Sequence, residues 1–150
     1  MRHPEIQRKR WTYSSTCVYN LSYHIVWCPK YRRPVLVSDV ADRLRELLIR
    51  KAETNGWTVR SLEIMPDHVH VFLSVTPSES IAQVLAVLKG GTARQLREEF
   101  PHLKRLLPTL WTRSYYVESV GHVSAKTIEK YIADQKQRSA TQKRRHSTHD

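Results

Sequence analysis

The sequence predicts an α+β domain of the ferredoxin-like class: a four-stranded antiparallel sheet with helices against one face and one further helix at the end. Three observations predict it. Runs with a two-residue hydrophobic period and runs with helical spacing follow one another in the order βαββαβ, then one helix. The two middle strands are separated only by Pro66-Asp67, which makes them an antiparallel hairpin. Hydrophobic residues make up 40% and charged residues 26% of 150 positions, the balance of one globular core rather than of a disordered or fibrous chain.

Each element follows from its own residues. Residues 1–15 carry Arg2, Arg8, Lys9 and Arg10 with little apolar content and read as a basic, mobile extension; residues 139–150 read as a basic, disordered tail, leaving 16–138 as the folded body. From Cys17 to Trp27 the chain alternates, with Tyr19, Leu21, Tyr23, Ile25 and Trp27 on one face, so this is the first strand. After Pro29 and Pro34, Ser38 is placed to cap a helix carrying Val40, Leu44, Leu47, Leu48 and Ala52, and Gly56 is its stop. Trp57–Ile64 reads as a strand, and His68–Val75, rich in β-branched residues, pairs back against it.

From Ser78 or Ser80 a long helical pattern places Ile81, Val84, Leu85 and Leu88 on one stripe and continues to Leu96. It crosses Gly90-Gly91. Two glycines inside a helix cost about 1 kcal/mol each relative to alanine, which points to a kink or a close backbone approach. Pro101 and Pro108 bracket a short connection, Trp111–Val120 reads as the fourth strand, and Gly121 ends it. Ser124 opens a final helix with Ile128, Tyr131, Ile132 and Gln135 on one broad face.

Charge and cysteine content narrow the function. Lys plus Arg total 25 against 14 Asp plus Glu, a formal charge of +11, so a polyanion is the natural partner and nucleic acid the first candidate. No apolar run reaches the ~18–20 residues that span a bilayer, and the first residues lack a signal-peptide core, so no membrane association and a cytoplasmic location are expected. Cys17 and Cys28 are too few for a disulfide framework or a thiolate zinc site and read as buried small hydrophobes. Lys89-Gly90-Gly91-Thr92 reverses the order of a phosphate-binding loop, so no nucleotide cofactor is expected.

His68 and His70 are two apart on a strand, so both imidazoles project from one face while Val69, Val71 and Leu73 face the other. Two imidazoles so placed can converge on one metal ion. An arbitrary His-x-His is more often a surface pair, but this one has apolar flanks, a central place in the sheet and a basic chain around it. Tyrosine attacks a phosphodiester only when it is activated or charge is withdrawn from phosphorus, and a metal on two histidines supplies the second. Seven tyrosines are present and chemistry alone selects none of them. The final helix narrows the choice, because Tyr131 stands one turn before Gln135, a candidate oxygen ligand, and Asp134 beside it is another.

Three segments carry a family resemblance: Tyr23-His24-Ile25-Val26-Trp27-Cys28-Pro29-Lys30-Tyr31-Arg32, Met65-Pro66-Asp67-His68-Val69-His70, and Ile128-Glu129-Lys130-Tyr131-Ile132-Ala133-Asp134-Gln135. In this order and spacing the chain resembles the single-tyrosine HUH transposases of the insertion-sequence 200/605 group. The resemblance implies an RRM-like ferredoxin fold, a homodimer with active sites completed in trans, and a Mg²⁺ or Mn²⁺ site built from His68, His70 and Gln135. It implies that Tyr131 is the nucleophile, forming a 5′-phosphotyrosine on single-stranded DNA whose ends carry hairpins. Ligand preference pulls the other way on the metal, since imidazoles suit zinc and other transition ions at least as well as magnesium.

Lys30, Arg32, Arg33, Arg50, Lys51, Lys89 and Arg94 are candidate DNA contacts, with Arg43, Arg45 and Arg97 beside them; each is equally explained as a solvated face. Three other readings compete. One is a repeat-associated tyrosine transposase acting on chromosomal palindromes, another a non-catalytic RNA-binding module whose sheet stacks bases, and the last a metal-dependent phosphodiesterase that uses water.

Overall fold

Alternation over Leu21–Trp27 becomes the strand from which the rest of the architecture is built. The structure, a computed structural model, describes residues 12–13, 18–119 and 133–134. Two compact units divide the chain, Met1–Val120 and Gly121–Asp150. In the first, β1 (Thr12–Tyr13) and β2 (Val18–Tyr19) form a small antiparallel ladder that precedes β3 (Leu21–Trp27). Thr12 and Tyr13 thus pair within the stretch expected to be an extension. After β3 come a 3₁₀ turn (Lys30–Arg32), α1 (Ser38–Thr54), β4 (Thr58–Met65) and β5 (His68–Val75). Then follow α2 (Ile81–Leu85), a π-helical turn (Ala86–Gly90), α3 (Gly91–Glu99), α4 (Pro101–Leu106) and β6 (Tyr116–Ser119). Of the second unit only Ala133 and Asp134, both helical, are described.

The main sheet runs β4-β5-β3-β6 with every pairing antiparallel. That is the ferredoxin-like order the sequence predicts, with β3 and β5 in the middle. Ile25, Trp27, Val69, Val71 and Leu73 point into one core with Val40, Leu44, Leu48 and Ala52 of α1 and Val84, Leu88 and Leu96 of the second helical run. Full burial of such side chains is worth roughly 1.5–3 kcal/mol each.

Helix α1 ends as predicted, and the reason is visible. Gly56 takes φ +73, the Gly56 N–H donates to the Glu53 carbonyl at 3.1 Å, and the Trp57 N–H reaches back to Ala52 at 2.8 Å. That pair of bonds is a Schellman closure, and the buried Trp57 and Ala52 supply its apolar contact. The start differs from expectation. Ser38 is the first helical residue, at φ 50, and Val37 occupies the cap position without a side-chain bond, so Ser38 does not cap α1. At α2 the cap is Ser80: its hydroxyl accepts from the Gln83 N–H while the Gln83 side chain accepts from the Ser80 N–H.

One of the two glycines, Gly91, meets a close approach, while a Cβ on Gly90 would meet nothing within 4 Å. The helix widens into a π turn over Ala86–Gly90 and resumes as α3 at Gly91, where a Cβ would run into the end of the Lys51 side chain from α1. The loosened turn is satisfied from inside: Thr92 Oγ1 donates to the Leu88 and Lys89 carbonyls, and the Trp111 indole N–H donates to Lys89 O at 3.1 Å.

Two connections differ from the sequence reading. Pro101 begins the helix α4 instead of bracketing a plain connection. Trp111 makes only an isolated bridge to Pro29, held by Lys30 N–H to Leu110 O and Thr112 N–H to Cys28 O, and the strand begins at Tyr116. Cys28 is half-buried rather than buried. Among the described residues no helix is long and apolar enough to cross a membrane.

Candidate functional site

One face of the sheet is core; the other carries polar side chains. Strand parity decides which is which. On β5, Val69, Val71 and Leu73 are buried against the helices, so His68, His70 and Phe72 project from the opposite face. The sequence reading placed the two histidines together in this way. β3 is the neighbour of β5, with Val26 opposite His70 and His24 opposite Phe72. Register therefore brings His24 beside His70, and their Nδ1 and Nε2 atoms lie 3.0 Å apart, within hydrogen-bond reach. The His24 ring is held from its other side by stacking on Phe72, with centroids 4.6 Å apart and an interplanar angle of 18°.

His68 is held differently. Its Nδ1 lies 2.9 Å from Asp67 Oδ1, and the other oxygen of Asp67 accepts from Arg32 at 3.0 Å. The hydrogen bond from His68, and secondarily the Arg32 guanidinium, keep the Asp67 carboxyl below the usual carboxylate range. Arg32 comes from the 3₁₀ turn, in which Tyr31 has φ 60 and Arg32 φ 50. Non-glycine residues enter that left-handed region at a cost of about 1–2 kcal/mol each, so the turn holds strain while presenting Arg32 to the loop. The Leu36 N–H also donates to Pro66 O at 3.0 Å, tying the same segment to the β4–β5 turn.

On the outer strand β6, Tyr116 donates to Glu118 at 2.9 Å, and that bond raises its phenol above the ordinary range. Glu118 stands opposite His24, and Glu63 of β4 opposite His70. Two imidazoles on one face, one backed by a carboxylate, match how protein histidines are prepared for a divalent ion. Among the described residues no group of three or more His, Cys, Asp and Glu side chains could hold a metal by itself. Tyr131 and Gln135, singled out in the sequence, lie outside the described residues; Asp134 is helical and exposed.

The basic candidates separate into groups. Lys30, Arg32 and Arg33 lie on the turn beside Asp67 and His68, with the Lys30 ammonium 5.4 Å from the Tyr31 ring centroid. Arg50, Lys51 and Arg94 belong to α1 and α3, on the side of the sheet away from the histidines. Lys89 is turned inward: its ammonium donates to Thr112 O at 2.7 Å, and burial pushes its pKa down. Arg43 clamps Glu99, Arg45 donates to Leu62 O and Arg97 to Pro108 O, so these three are tied into the fold.

Sequence reasoning missed His24 and Asp67, the partner of Arg32. Parity in the alternating run already put His24 on the face opposite Ile25, but only the β3–β5 register sets it against His70. Asp67 read simply as a turn former.

Known proteins are similar to this chain in sequence and fold. A family model described as "Transposase IS200 like" matches residues 17–135. The ISDra2 transposase TnpA of Deinococcus radiodurans is 44% identical over 120 residues, covering 79% of this chain and 86% of its own length. The transposase for insertion sequence element IS200 of Salmonella typhimurium is 34% identical over 119 residues, 78% of each chain. A crystallised transposase candidate from Deinococcus radiodurans R1 superposes with a TM-score of 0.69 at 40% identity, covering 83% of this chain and 97% of that one. A tyrosine transposase associated with REP sequences, solved bound to a REP hairpin, shares the fold with a TM-score of 0.53 at 12% identity, over 74% of this chain and 61% of that one. Matched from its first long strand to its final predicted helix, the chain belongs to the IS200-like transposase family.

Proposed function

We propose that this transposase cleaves and rejoins single-stranded DNA at insertion-sequence ends, with Tyr131 as the nucleophile and His68, His70 and Gln135 holding a Mg²⁺ or Mn²⁺ ion. The observation that carries this reading is the pair His68 and His70 on one face of a central strand, each with a ring nitrogen already engaged by a neighbour. A bound divalent ion would withdraw charge from a phosphate oxygen there.

The chain's own residues do the rest. The Tyr131 hydroxyl attacks phosphorus, the P–O3′ bond breaks, and the products are a 5′-phosphotyrosine and a free 3′-OH. Attack of a 3′-OH on that phosphotyrosine reverses the exchange and frees the tyrosine, so one phosphodiester is traded for another without a nucleotide cofactor. The formal charge of +11 favours the polyanion, and Lys30 and Arg33 are the DNA contacts best placed relative to His68, with Arg32, Arg50, Lys51 and Arg94 as further candidates; Lys89 drops out because its ammonium is held by Thr112 O.

The hairpin-bound neighbour supports recognition of subterminal hairpins, although its low identity speaks for fold rather than for substrate. The family resemblance supports a homodimer with active sites completed in trans. Identity to insertion-sequence transposases favours a mobile element over a chromosomal-repeat enzyme. The test is cleavage of single-stranded DNA taken from the flanks of the chain's own gene. His68→Ala and His70→Ala should each reduce cleavage by at least ~100-fold while the fold and most DNA binding persist, and chelation should do the same to the wild type. A double alanine variant that still cuts near the wild-type rate refutes the metal assignment.

A further inference from the structure

Imidazole has two nitrogens, and a metal takes the one without a proton. What selects that nitrogen is the bond made by the other. At His68 the selecting group is visible: Asp67 Oδ1 is 2.9 Å from Nδ1, and an ionised carboxylate only accepts. We propose that Asp67 and Arg32 are positioning residues that hold His68 as its Nδ1–H tautomer, leaving Nε2 as the nitrogen offered to a metal on the open sheet face.

The arrangement is built from two distant parts of the chain. Asp67 sits in the two-residue connection between β4 and β5, where Met65 pairs with His68, and so moves with the histidine it faces. Its second oxygen is taken by Arg32, 35 residues earlier, at 3.0 Å. A carboxylate anchored at one oxygen keeps the other aimed at Nδ1. Arg32 reaches it from a turn whose backbone holds φ 60 and φ 50 at two consecutive non-glycine residues, an expensive geometry for a merely solvated arginine. The Leu36–Pro66 backbone bond fixes the two segments against each other independently of the ion pair. Among the described residues His70 has no such backing: its Nε2 faces His24, so the two histidines are oriented by different means.

This rests on the reading of His68 as a ligand, and the test separates the two. Long-range ¹H–¹⁵N correlation on the full metal-free chain at about pH 8, where an ordinary imidazole is neutral, reports the His68 tautomer directly. The expected wild-type signal is the single Nδ1–H form, and Asp67→Ala should convert it to a mixture or to Nε2–H. Asp67→Asn has one oxygen for two donors, and with that oxygen turned to Arg32 its NH₂ faces Nδ1, so it too should lose the single Nδ1–H form. Mn²⁺ titration should then show affinity falling about 10- to 100-fold in Asp67→Ala, and less in Arg32→Ala. An Nε2–H tautomer in the wild type, or Mn²⁺ affinity of Asp67→Ala within about twofold of wild type, overturns the proposal. If the wild type binds no Mn²⁺ at all, the ligand role of His68 falls, and the tautomer measurement alone decides whether Asp67 and Arg32 position the ring.

Discussion

On β3 a single step along the chain separates core from site: Ile25 has no exposed surface, and His24 before it lies against His70 and Phe72. The same economy governs single residues elsewhere. Gly56 is required by conformation rather than by space, since its φ of +73 is left-handed while nothing lies within 4 Å of a Cβ added there. Gly56→Ala should therefore destabilise the fold by about 1–2 kcal/mol, read as a lower midpoint in urea at unchanged slope, with DNA cleavage at low temperature preserved. No loss of stability would mean that the α1 closure is not constrained at that residue.

Among elements, the π turn and the helix pair make separable predictions. Trp111 donates to Lys89 O and Thr92 Oγ1 and packs edge-on against Trp27, so it plugs the helix where the i→i−4 ladder opens. Trp111→Phe keeps an aromatic ring but removes the donor, and should cost about 1–3 kcal/mol with faster amide exchange concentrated in Ala86–Thr92. Exchange that rises evenly over the whole domain would argue against a local plug. Arg43 of α1 grips both oxygens of Glu99 at the end of α3, and that hydrogen bonding lowers the Glu99 pKa. A depressed carboxylate contributes stability above its unfolded pKa of about 4.3 and loses it as pH falls through the lower folded value. Glu99→Gln should accordingly lower stability slightly in the neutral range, slightly because the pair is solvent-exposed, and flatten the acid limb of the stability–pH profile below about pH 4.5 to the same extent. A steeper acid limb in the variant would reverse the assigned sign.

For the whole molecule, the sequence carried the fold because its periods were clean. Alternation in Leu21–Trp27 and His68–Val75, helical spacing from Val40 to Ala52, and the Pro66-Asp67 break were enough to predict the ferredoxin-like order that the sheet adopts. Boundaries failed where a local signal met a tertiary one. Ser38 is a good capping residue by type, but the chain enters α1 with Ser38 already helical; Trp111 looks like a strand residue, but its indole is turned to Lys89 and Thr92 and its backbone makes one isolated bridge. His68 and His70 were legible as a pair because two-residue spacing fixes a face. Their supports were not, because His24 and Arg32 are brought in by strand register and by a strained turn, neither of which leaves a local pattern. Lys89 shows the opposite limit: counted among basic residues it resembles a DNA contact, while in the fold its ammonium holds the backbone leading into β6.

The central claim is that a tyrosine on the final predicted helix attacks DNA. Its most direct measurement is a denaturing gel of protein incubated with flanking single-stranded DNA and Mn²⁺, followed by peptide mapping of any covalent adduct, for the wild type and for Tyr131→Phe. The substitution removes one oxygen and keeps the ring, so fold, metal affinity and DNA binding should stay near wild type. The wild type should give an adduct with the 5′-phosphate on Tyr131, and Tyr131→Phe neither adduct nor cleavage. Continued cutting by Tyr131→Phe with release of protein-free product, or an adduct mapped to Tyr115 or Tyr116, would contradict that assignment.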